Sequence, residues 1–299
     1  MHILKGYTKQ EISWMMYDWA NSAHSVIIVT LLPIFFDTVA GYTADSVSSM
    51  STWGYATSIA MLIVALAAPF LGVFGDIRGM RKKLFSFFML LGVAACAGMA
   101  FTPGMDFTSG PVAAGKVASL ILVLYIVSVI GFDASAIYYD AFLTDVTIED
   151  RMDKVSTMGY GLGYIGGSTI PLLIFLIMNL VGVPMLTCLA FVFGLTAVWW
   201  LAFSLPLLKN CEQTSGKPYE KGDVARSIKG VGTTIKEIIA NKPMLIYILS
   251  YFFYIDGVHT VISMATTYGT NLGLDSTGMM LALLLVQILG PVSYTHLRA

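Results

Sequence analysis

Charged side chains are scarce in this sequence. They make up 12% of its 299 residues, about half the share typical of soluble proteins, so most of the folded surface does not face water. The formal net charge of −1 argues against a nucleic-acid partner, which requires a basic patch. The three cysteines, Cys96, Cys188 and Cys211, give neither a disulfide framework nor a metal-ligand spacing. We therefore expect no metal, no other cofactor and no nucleic-acid partner.

Apolar sequence is abundant instead, at 57% of the residues. Apolar runs of roughly 18 to 25 residues are long enough to cross a membrane as helices. We count eight such runs, at about 13–36, 53–74, 84–102, 117–143, 155–180, 184–208, 243–267 and 275–291. Continuous runs indicate helices rather than the alternating strands of a membrane barrel. The predicted fold class is an all-α polytopic membrane protein.

The basic residues predict how these helices are oriented. If the N-terminus is inside, 16 of the 17 Lys and Arg residues lie in inside segments, and Lys116 alone lies outside. An excess of Lys and Arg is typical of cytoplasmic loops. One missed helix would place basic loops on both sides of the membrane. The distribution therefore predicts a cytoplasmic N-terminus and supports the count of eight.

The longest polar segment, residues 209–242, separates a six-helix bundle (1–208) from the first two helices of a second bundle (243–291). Within this segment, apolar side chains recur at steps of four and three: Val224, Ile228, Val231, Ile235 and Ile238. Such a stripe is typical of an amphipathic helix lying on the inner membrane surface. A loosely ordered linker is an equal alternative, because Gly230 and Gly232 interrupt the pattern.

The first and seventh spans carry matching polar stripes. Each stripe is led by an aspartate and has the spacing i, i+3, i+4, i+7, which places its members on one helix face. The stripes are Asp18, Asn21, Ser22 and Ser25 in the first span, and Asp256, His259, Thr260 and Ser263 in the seventh. Two halves with matching first helices suggest a tandem repeat, as in transporters built from parallel halves. His24 lies one residue off its stripe and is expected to be packed and neutral.

The fourth span adds Asp133 and Asp140, seven residues apart, with Tyr139 beside the second. An ionisable group at the bilayer centre costs about 2.5–3.5 kcal/mol on insertion scales, so these carboxylates should face partners or a water-filled cavity. The alternative for Asp18 and Asp140, which lie near the cytoplasmic helix ends, is contact with headgroups and water.

The fifth span carries a row of glycines four residues apart: Gly159, Gly163 and Gly167. Rows of small residues let membrane helices approach closely. We predict a helix-packing role for this row.

The loop between the second and third spans reads GVFGDIRGMRKK. Its spacing and its position resemble the loop motif of the major facilitator superfamily, on Gly72, Asp76, Arg78, Gly79 and Arg81. Ile77 and Met80 stand where that motif usually has arginines. The resemblance implies charge contacts that latch one conformation, with Asp76 paired to Arg78 or Arg81.

A narrower resemblance rests on YDWANSAHS (17–25), YYDAFLTDV (138–146) and DRMDKVSTMGYGLGYIGG (150–167). These segments resemble the bacterial relatives of the autophagy-related vacuolar effluxer family, although Thr144 stands where proline is expected. The resemblance implies twelve helices, export of small solutes such as amino acids, and a location in a bacterial inner membrane. On that basis we expect that four helices are missing from the chain. The polar ending SYTHLRA resembles translated adapter sequence, so we expect residues 292–299 to be a non-native tail.

These patterns predict a secondary transporter that acts as a monomer in the lipid bilayer on a small solute. The first, fourth and seventh spans would line its cavity; Asp133 or Asp256 could carry a proton, and Asn21, Ser22, His259 and Thr260 could bind the solute. The alternative is a membrane-embedded enzyme such as an intramembrane protease, but no G-x-G-D tetrad occurs. We expect no enzymatic activity.

Overall fold

The computed structural model describes residue 4 and residues 6–43, 49–218 and 223–298. These residues form ten α-helices: α1 (Lys9–Ala40), α2 (Ser49–Gly75), α3 (Arg81–Met99), α4 (Pro111–Val146), α5 (Glu149–Leu162), α6 (Thr169–Leu180), α7 (Met185–Asn210), α8 (Asp223–Ala240), α9 (Lys242–Asn271) and α10 (Ser276–Arg298). A π-helical turn, Gly163–Ser168, joins α5 to α6, and a 3₁₀ turn, Thr102–Gly104, follows α3. The all-α fold class is thereby confirmed.

All eight predicted spans coincide with helices. Seven continuous helical segments among the described residues are long and apolar enough to cross a membrane, and one of them combines α5, the π turn and α6. The eighth predicted run, 275–291, lies in α10. The predicted helix within the linker corresponds to α8, and Val224 and Ile228 of its stripe fall outside the residues whose side chains are described.

Helix α1 is the central element of the six-helix bundle formed by α1 to α7. It packs against α4, α5, the π turn and α7, and most of its membrane-spanning part is buried. In lipid, such packing depends on close van der Waals contact rather than on water exclusion. The central position of α1 explains why polar side chains on this helix meet partners from several other helices.

Close backbone contacts set the spacing of the helices around α1. A Cβ atom added to Gly131 of α4 would lie 2.5 Å from the backbone nitrogen of Gly92 in α3. A Cβ atom on Gly92 would in turn collide with the ring of Trp200 from α7. Glycine at both positions therefore allows α3, α4 and α7 to approach one another.

Helix α9 is much less buried than α1. Helix α9 packs beside α1 and α2, but none of its most apolar stretch is buried. Aromatic side chains such as Tyr247, Phe253 and Tyr254 lie exposed along α9. The polar groups of the bundle therefore have their contacts chiefly within α1 to α7.

Candidate functional site

The site is centred on a hydrogen bond between α1 and α4. The Tyr139 hydroxyl donates to the Asp18 carboxylate across 2.8 Å. The Tyr139 ring stacks on Trp14, with 4.3 Å between ring centroids, and the Trp14 Nε1 donates to the backbone oxygen of Tyr139 at 2.9 Å. Three separate contacts, one from Asp18 and two from Trp14, thus join α1 to Tyr139 of α4.

A second layer of polar contacts lies behind this pair. The hydroxyls of Tyr17 and Ser135 share a hydrogen bond of 2.7 Å, and the Trp200 Nε1 donates to the Tyr17 hydroxyl at 3.4 Å. All three residues are fully buried. Because a buried polar group needs a partner, this network links α1, α4 and α7 in one arrangement.

The glycine row of α5 and the π turn packs directly against the polar stripe of α1. A Cβ atom on Gly159 would collide with the Asp18 carboxylate. On Gly163 it would lie 2.5 Å from the Ser22 hydroxyl oxygen, and on Gly167 it would lie 2.9 Å from the Ser22 Cβ. The row therefore allows the backbone of this span to approach Asp18 and Ser22. A π-helical turn in such a place is frequent at functional sites.

The rest of the α1 stripe faces the interior. Asn21 is buried, whereas Ser22 and Ser25 are half-buried. The Ser168 hydroxyl donates to the backbone oxygen of Ser22 at 3.2 Å, and the Ser25 hydroxyl donates to the same oxygen at 3.3 Å. This carbonyl oxygen accepts bonds from two helices.

The other carboxylates of the predicted site are separate from Asp18. Asp133 is half-buried on α4, and Asp140 is exposed. Tyr139, which the sequence places beside Asp140, is paired with Asp18 instead. The structure thus distributes the acidic groups of α1 and α4 over interior and exposed positions.

The predicted stripe of α9 lies apart from the α1 stripe. Asp256, His259 and Thr260 are exposed. Thr260 lines a cavity of about 580 Å³ whose other walls are mostly apolar side chains of α9 and α10, such as Met264 and Leu283. Within the described part of the chain, no hydrogen bond or ion pair joins the two stripes.

His24 occupies an aromatic pocket in the bundle core. It is 3% exposed, stacks on Phe132 with 4.8 Å between ring centroids, and lies 5.0 Å from the Trp200 ring. This placement agrees with the packed histidine that the sequence predicts.

The α2–α3 loop carries the motif predicted as a conformational latch. Its Gly79 has a φ of +80°, which favours glycine. The Arg81 guanidinium pairs most closely with Asp145 of α4, a partner that the sequence does not predict, and lies 3.9 Å from Asp76. The Asp76 side chain is 83% exposed, whereas those of Arg81 and Asp145 are 6% and 0% exposed.

A second ion pair at the same end of the bundle was also missed. The Arg151 guanidinium lies 2.8 Å from the Glu11 carboxylate, and Glu11 closes a capping box with Thr8 at the start of α1. The Thr147 hydroxyl donates to the same carboxylate at 2.7 Å. The T-x-x-E pattern at residues 8–11 is a sequence-level sign of this cap.

These arrangements offer hydrogen-bonding and charged groups. No group of three His, Cys, Asp or Glu side chains that could hold a metal ion occurs in the part of the chain that the structure describes.

This chain is similar in sequence to known membrane-transport and autophagy-related proteins. A family model described as vacuole effluxer Atg22 like matches residues 41–150 and 144–297. The uncharacterized MFS-type transporter YxiO of Bacillus subtilis (strain 168) is 39% identical over 294 residues, which are 96% of this chain and 66% of that protein. Autophagy-related protein 22-1 of Penicillium rubens is 26% identical over 159 residues, which are 49% of this chain and 27% of that protein.

The fold also resembles that of a solved transporter. The crystal structure of a D-xylose-proton symporter superposes with a TM-score of 0.53 at 15% identity, covering 95% of this chain and 65% of that chain. A sequence identity of 15% supports similarity of the fold only. The chain spans just under two thirds of the lengths of the symporter and YxiO.

Proposed function

Because the chain belongs to the Atg22-like vacuole effluxer family and to the major facilitator superfamily, we propose that it is a secondary transporter. It would move a small solute across the membrane by alternating access. The family membership confirms the resemblance read from YDWANSAHS, and the matched descriptions name an effluxer and a transporter rather than an enzyme. The chain is an integral, multi-pass membrane protein.

The observation that carries this proposal is the Asp18 carboxylate inside α1. It is hydrogen-bonded by Tyr139 of α4, within helices that are long and apolar enough to cross a membrane. A chain has no structural need for such a group in lipid, because it disfavours insertion. Carboxylates inside membrane helices commonly mark paths for solutes or protons.

In the proposed mechanism, α1, α4 and α9 line the solute path. Asp133 and Asp256 are proposed as proton carriers, because each is an ionisable group within a helix that is long and apolar enough to cross a membrane. Asn21, Ser22, His259 and Thr260 are proposed to hydrogen-bond the solute. The hydrogen bond between Tyr139 and Asp18 joins α1 to α4 in the wall of this path.

The finer features of the proposal come from the family. We propose amino acids as the solute class, efflux as the direction and a bacterial inner membrane as the location, with the N-terminus in the cytoplasm. The basic residues near the ends of α2, α4 and α7, such as Arg78, Arg151 and Lys209, support this orientation through the positive-inside rule.

The test uses the protein expressed from its gene and reconstituted into proteoliposomes. Uptake of a mixed amino-acid pool is measured with and without a pH gradient. We expect pH-driven flux in the parent, and strongly reduced pH-driven flux in Asp133→Asn or Asp256→Asn. Asp106→Asn, the same change in the exposed loop before α4, is the control. Full pH-driven flux in both variants would disprove the proton-carrier role.

A further inference from the structure

The segment that follows α7 is docked onto the α2–α3 loop. We call residues 211–217 the strap. The backbone nitrogen of Arg78 donates to the Lys217 oxygen at 3.0 Å, and the Lys217 nitrogen donates to the Asp76 oxygen at 3.1 Å. These two bonds make an isolated parallel bridge between Ile77 and Lys217. The strap is thus paired along its backbone with a loop about 140 positions earlier in the chain.

Gln213 is the central anchor of the strap. Its side-chain oxygen accepts from the backbone nitrogens of Gly79 at 2.8 Å and Arg81 at 3.2 Å. Its side-chain nitrogen donates to the Gly75 oxygen at 3.0 Å. Gly75 ends α2 and Arg81 begins α3, so one side chain satisfies backbone groups that helix ends leave without an intrahelical partner.

Asp145 of α4 is the second anchor. One carboxylate oxygen accepts from the backbone nitrogens of Thr214 at 3.1 Å and Ser215 at 2.8 Å, and from the Thr214 hydroxyl at 2.9 Å. Its other oxygen pairs with Arg81, whose Nη1 also donates to the Ser215 hydroxyl at 3.1 Å. The ion pair that holds α3 to α4 therefore also holds the strap.

Backbone geometry fits the strap closely to the loop. Gly216 has a φ of +110°, and a Cβ atom there would lie 2.7 Å from the Asp76 oxygen. Cys211, the first residue of the strap, is fully buried. Its thiol donates to the Gln10 oxygen at 3.6 Å, and its backbone oxygen accepts from Lys82 at 3.1 Å.

Residues 214–217 of the strap lie at an exposed surface, whereas Cys211 and the Asp145 side chain are buried. Thr214, Ser215, Gly216 and Lys217 are all exposed. Water can replace hydrogen bonds at such positions, so each bond contributes little net stability. Residues 214–217 can therefore be released without exposing much apolar surface, and release that extends to Cys211 exposes its thiol.

Docking shortens the connection between the two parts of the chain. The docked strap ends at Lys217 and α8 begins at Asp223, so only residues 218–222 connect them. A residue spans at most about 3.3–3.6 Å when extended. Release of the strap would add its seven residues to this connection and roughly double the distance that it can bridge.

We propose that the strap is a releasable latch: docked on the α2–α3 loop, it limits the movement of α8 and α9 relative to the first six-helix bundle, and it must be released during the transport cycle. The latch rests on the proposed function for its role in transport, but docking and release can be measured without transport. A purely structural strap would instead remain docked throughout the cycle.

The first test measures release through the native Cys211 thiol. A membrane-impermeant maleimide is added to the detergent-solubilised protein, and labelling of Cys211 is followed by peptide mass spectrometry. Gln213→Ala removes three hydrogen bonds and should accelerate labelling at least about tenfold. Glu212→Ala, at the exposed neighbouring position, is the matched control and should label at the parent rate. Equal rates in all three proteins would overturn the proposal.

The second test locks the strap. Neighbouring strands lie about 4.8 Å apart, within the range of Cα separations that a disulfide bridges, so Ile77→Cys with Lys217→Cys should form a reducible cross-link. The locked protein should lose most of its transport, and reduction should restore it. The control pair is Asp37→Cys with Ser49→Cys, which links α1 to α2 at the other end of the bundle. The native side chains of Asp37 and Ser49 are hydrogen-bonded to each other.

The outcomes separate the latch from the proposed function. Unchanged transport with the 77–217 disulfide in place would overturn the latch, even if transport itself is established. Absence of transport in the parent would instead overturn the proposed function, and with it the requirement for release during transport. Cys211 labelling would still decide whether the strap undocks.

Discussion

The Tyr139 hydroxyl lies 2.8 Å from the Asp18 carboxylate, although the two residues are 121 positions apart in the chain. This bond joins α1 to α4 at the point where the glycine row of α5 approaches α1. Three helices therefore meet at one carboxylate, and a shift of any of them should change the contacts of Asp18.

Replacement of Tyr139 by phenylalanine should reduce solute flux and lower thermal stability. The change removes a side-chain hydrogen bond, which contributes about 0.5–1.5 kcal/mol, and leaves the aromatic stack with Trp14 in place. Tyr138→Phe is the matched control, because its hydroxyl donates to a backbone oxygen, that of Leu71, at 3.0 Å. If both variants reduced flux equally, the bond to Asp18 would have no specific role.

Alanine at Gly163 should destabilise the bundle, whereas alanine at Gly161 should not. A Cβ atom at Gly163 would lie 2.5 Å from the Ser22 hydroxyl oxygen, and none of the described atoms lies within 4 Å of the corresponding position at Gly161. Overpacking typically costs about 1–3 kcal/mol, while Gly→Ala within a helix favours folding by about 1 kcal/mol. Melting temperatures of the purified variants measure the difference, and equal values would contradict the packing role.

Removal of the Asp145 carboxylate should be far more harmful than removal of the Asp76 carboxylate. The Asp145 side chain is fully buried beside Arg81, whereas that of Asp76 is 83% exposed. Loss of one partner from a buried pair costs about 3–5 kcal/mol, and an exposed pair contributes about 0–1 kcal/mol. Thermal unfolding of Asp145→Ala and Asp76→Ala gives the comparison, and similar melting temperatures would argue against this ranking.

The reactivity of Cys211 should rise steeply with pH. Burial raises the pKa of this thiol to about 12, and only the thiolate reacts with alkylating reagents. The alkylation rate of the folded protein should therefore increase about tenfold per pH unit from pH 7 to pH 10 without reaching a plateau. The denatured protein should approach its plateau near pH 9, where an ordinary thiol ionises. A plateau at the same pH in both states would contradict the effect of burial.

Linkage gives the sign of the corresponding effect on stability. Because the folded state favours the protonated thiol, the contribution of Cys211 to stability is fully present below the pKa of the unfolded thiol. It is lost as the pH rises from that value toward the raised pKa of the folded state.

The helices could be predicted from the sequence because length and continuous apolarity are enough to specify a membrane span. The stripe on α1 could also be predicted, since its spacing depends on helix geometry alone. The partner of Tyr139 could not be predicted, because the choice between Asp18 and Asp140 depends on how α1 and α4 are rotated in the bundle. Asp145 was missed for the same reason, since its pairing with Arg81 requires the packing of α3 against α4.

The strap is the clearest case of structure that local sequence does not specify. The residues from Cys211 to Lys217 carry no periodic pattern and read as an ordinary polar linker. The conformation of these residues depends on hydrogen bonds to Gly75, Gly79 and Asp145. The positions of those three residues are set by the ends of α2, α3 and α4.

The π-helical turn between α5 and α6 sets the rotation of α6 about its axis, and so which side chains of α6 face the bundle. A π turn holds one residue more than an α turn, and one residue corresponds to about 100° of rotation about the helix axis. Conversion of Gly163–Ser168 to regular α-helix would therefore swing α6 by more than a quarter of a revolution relative to α5. Phe175, which is fully buried on α6, would then turn away from its present neighbours.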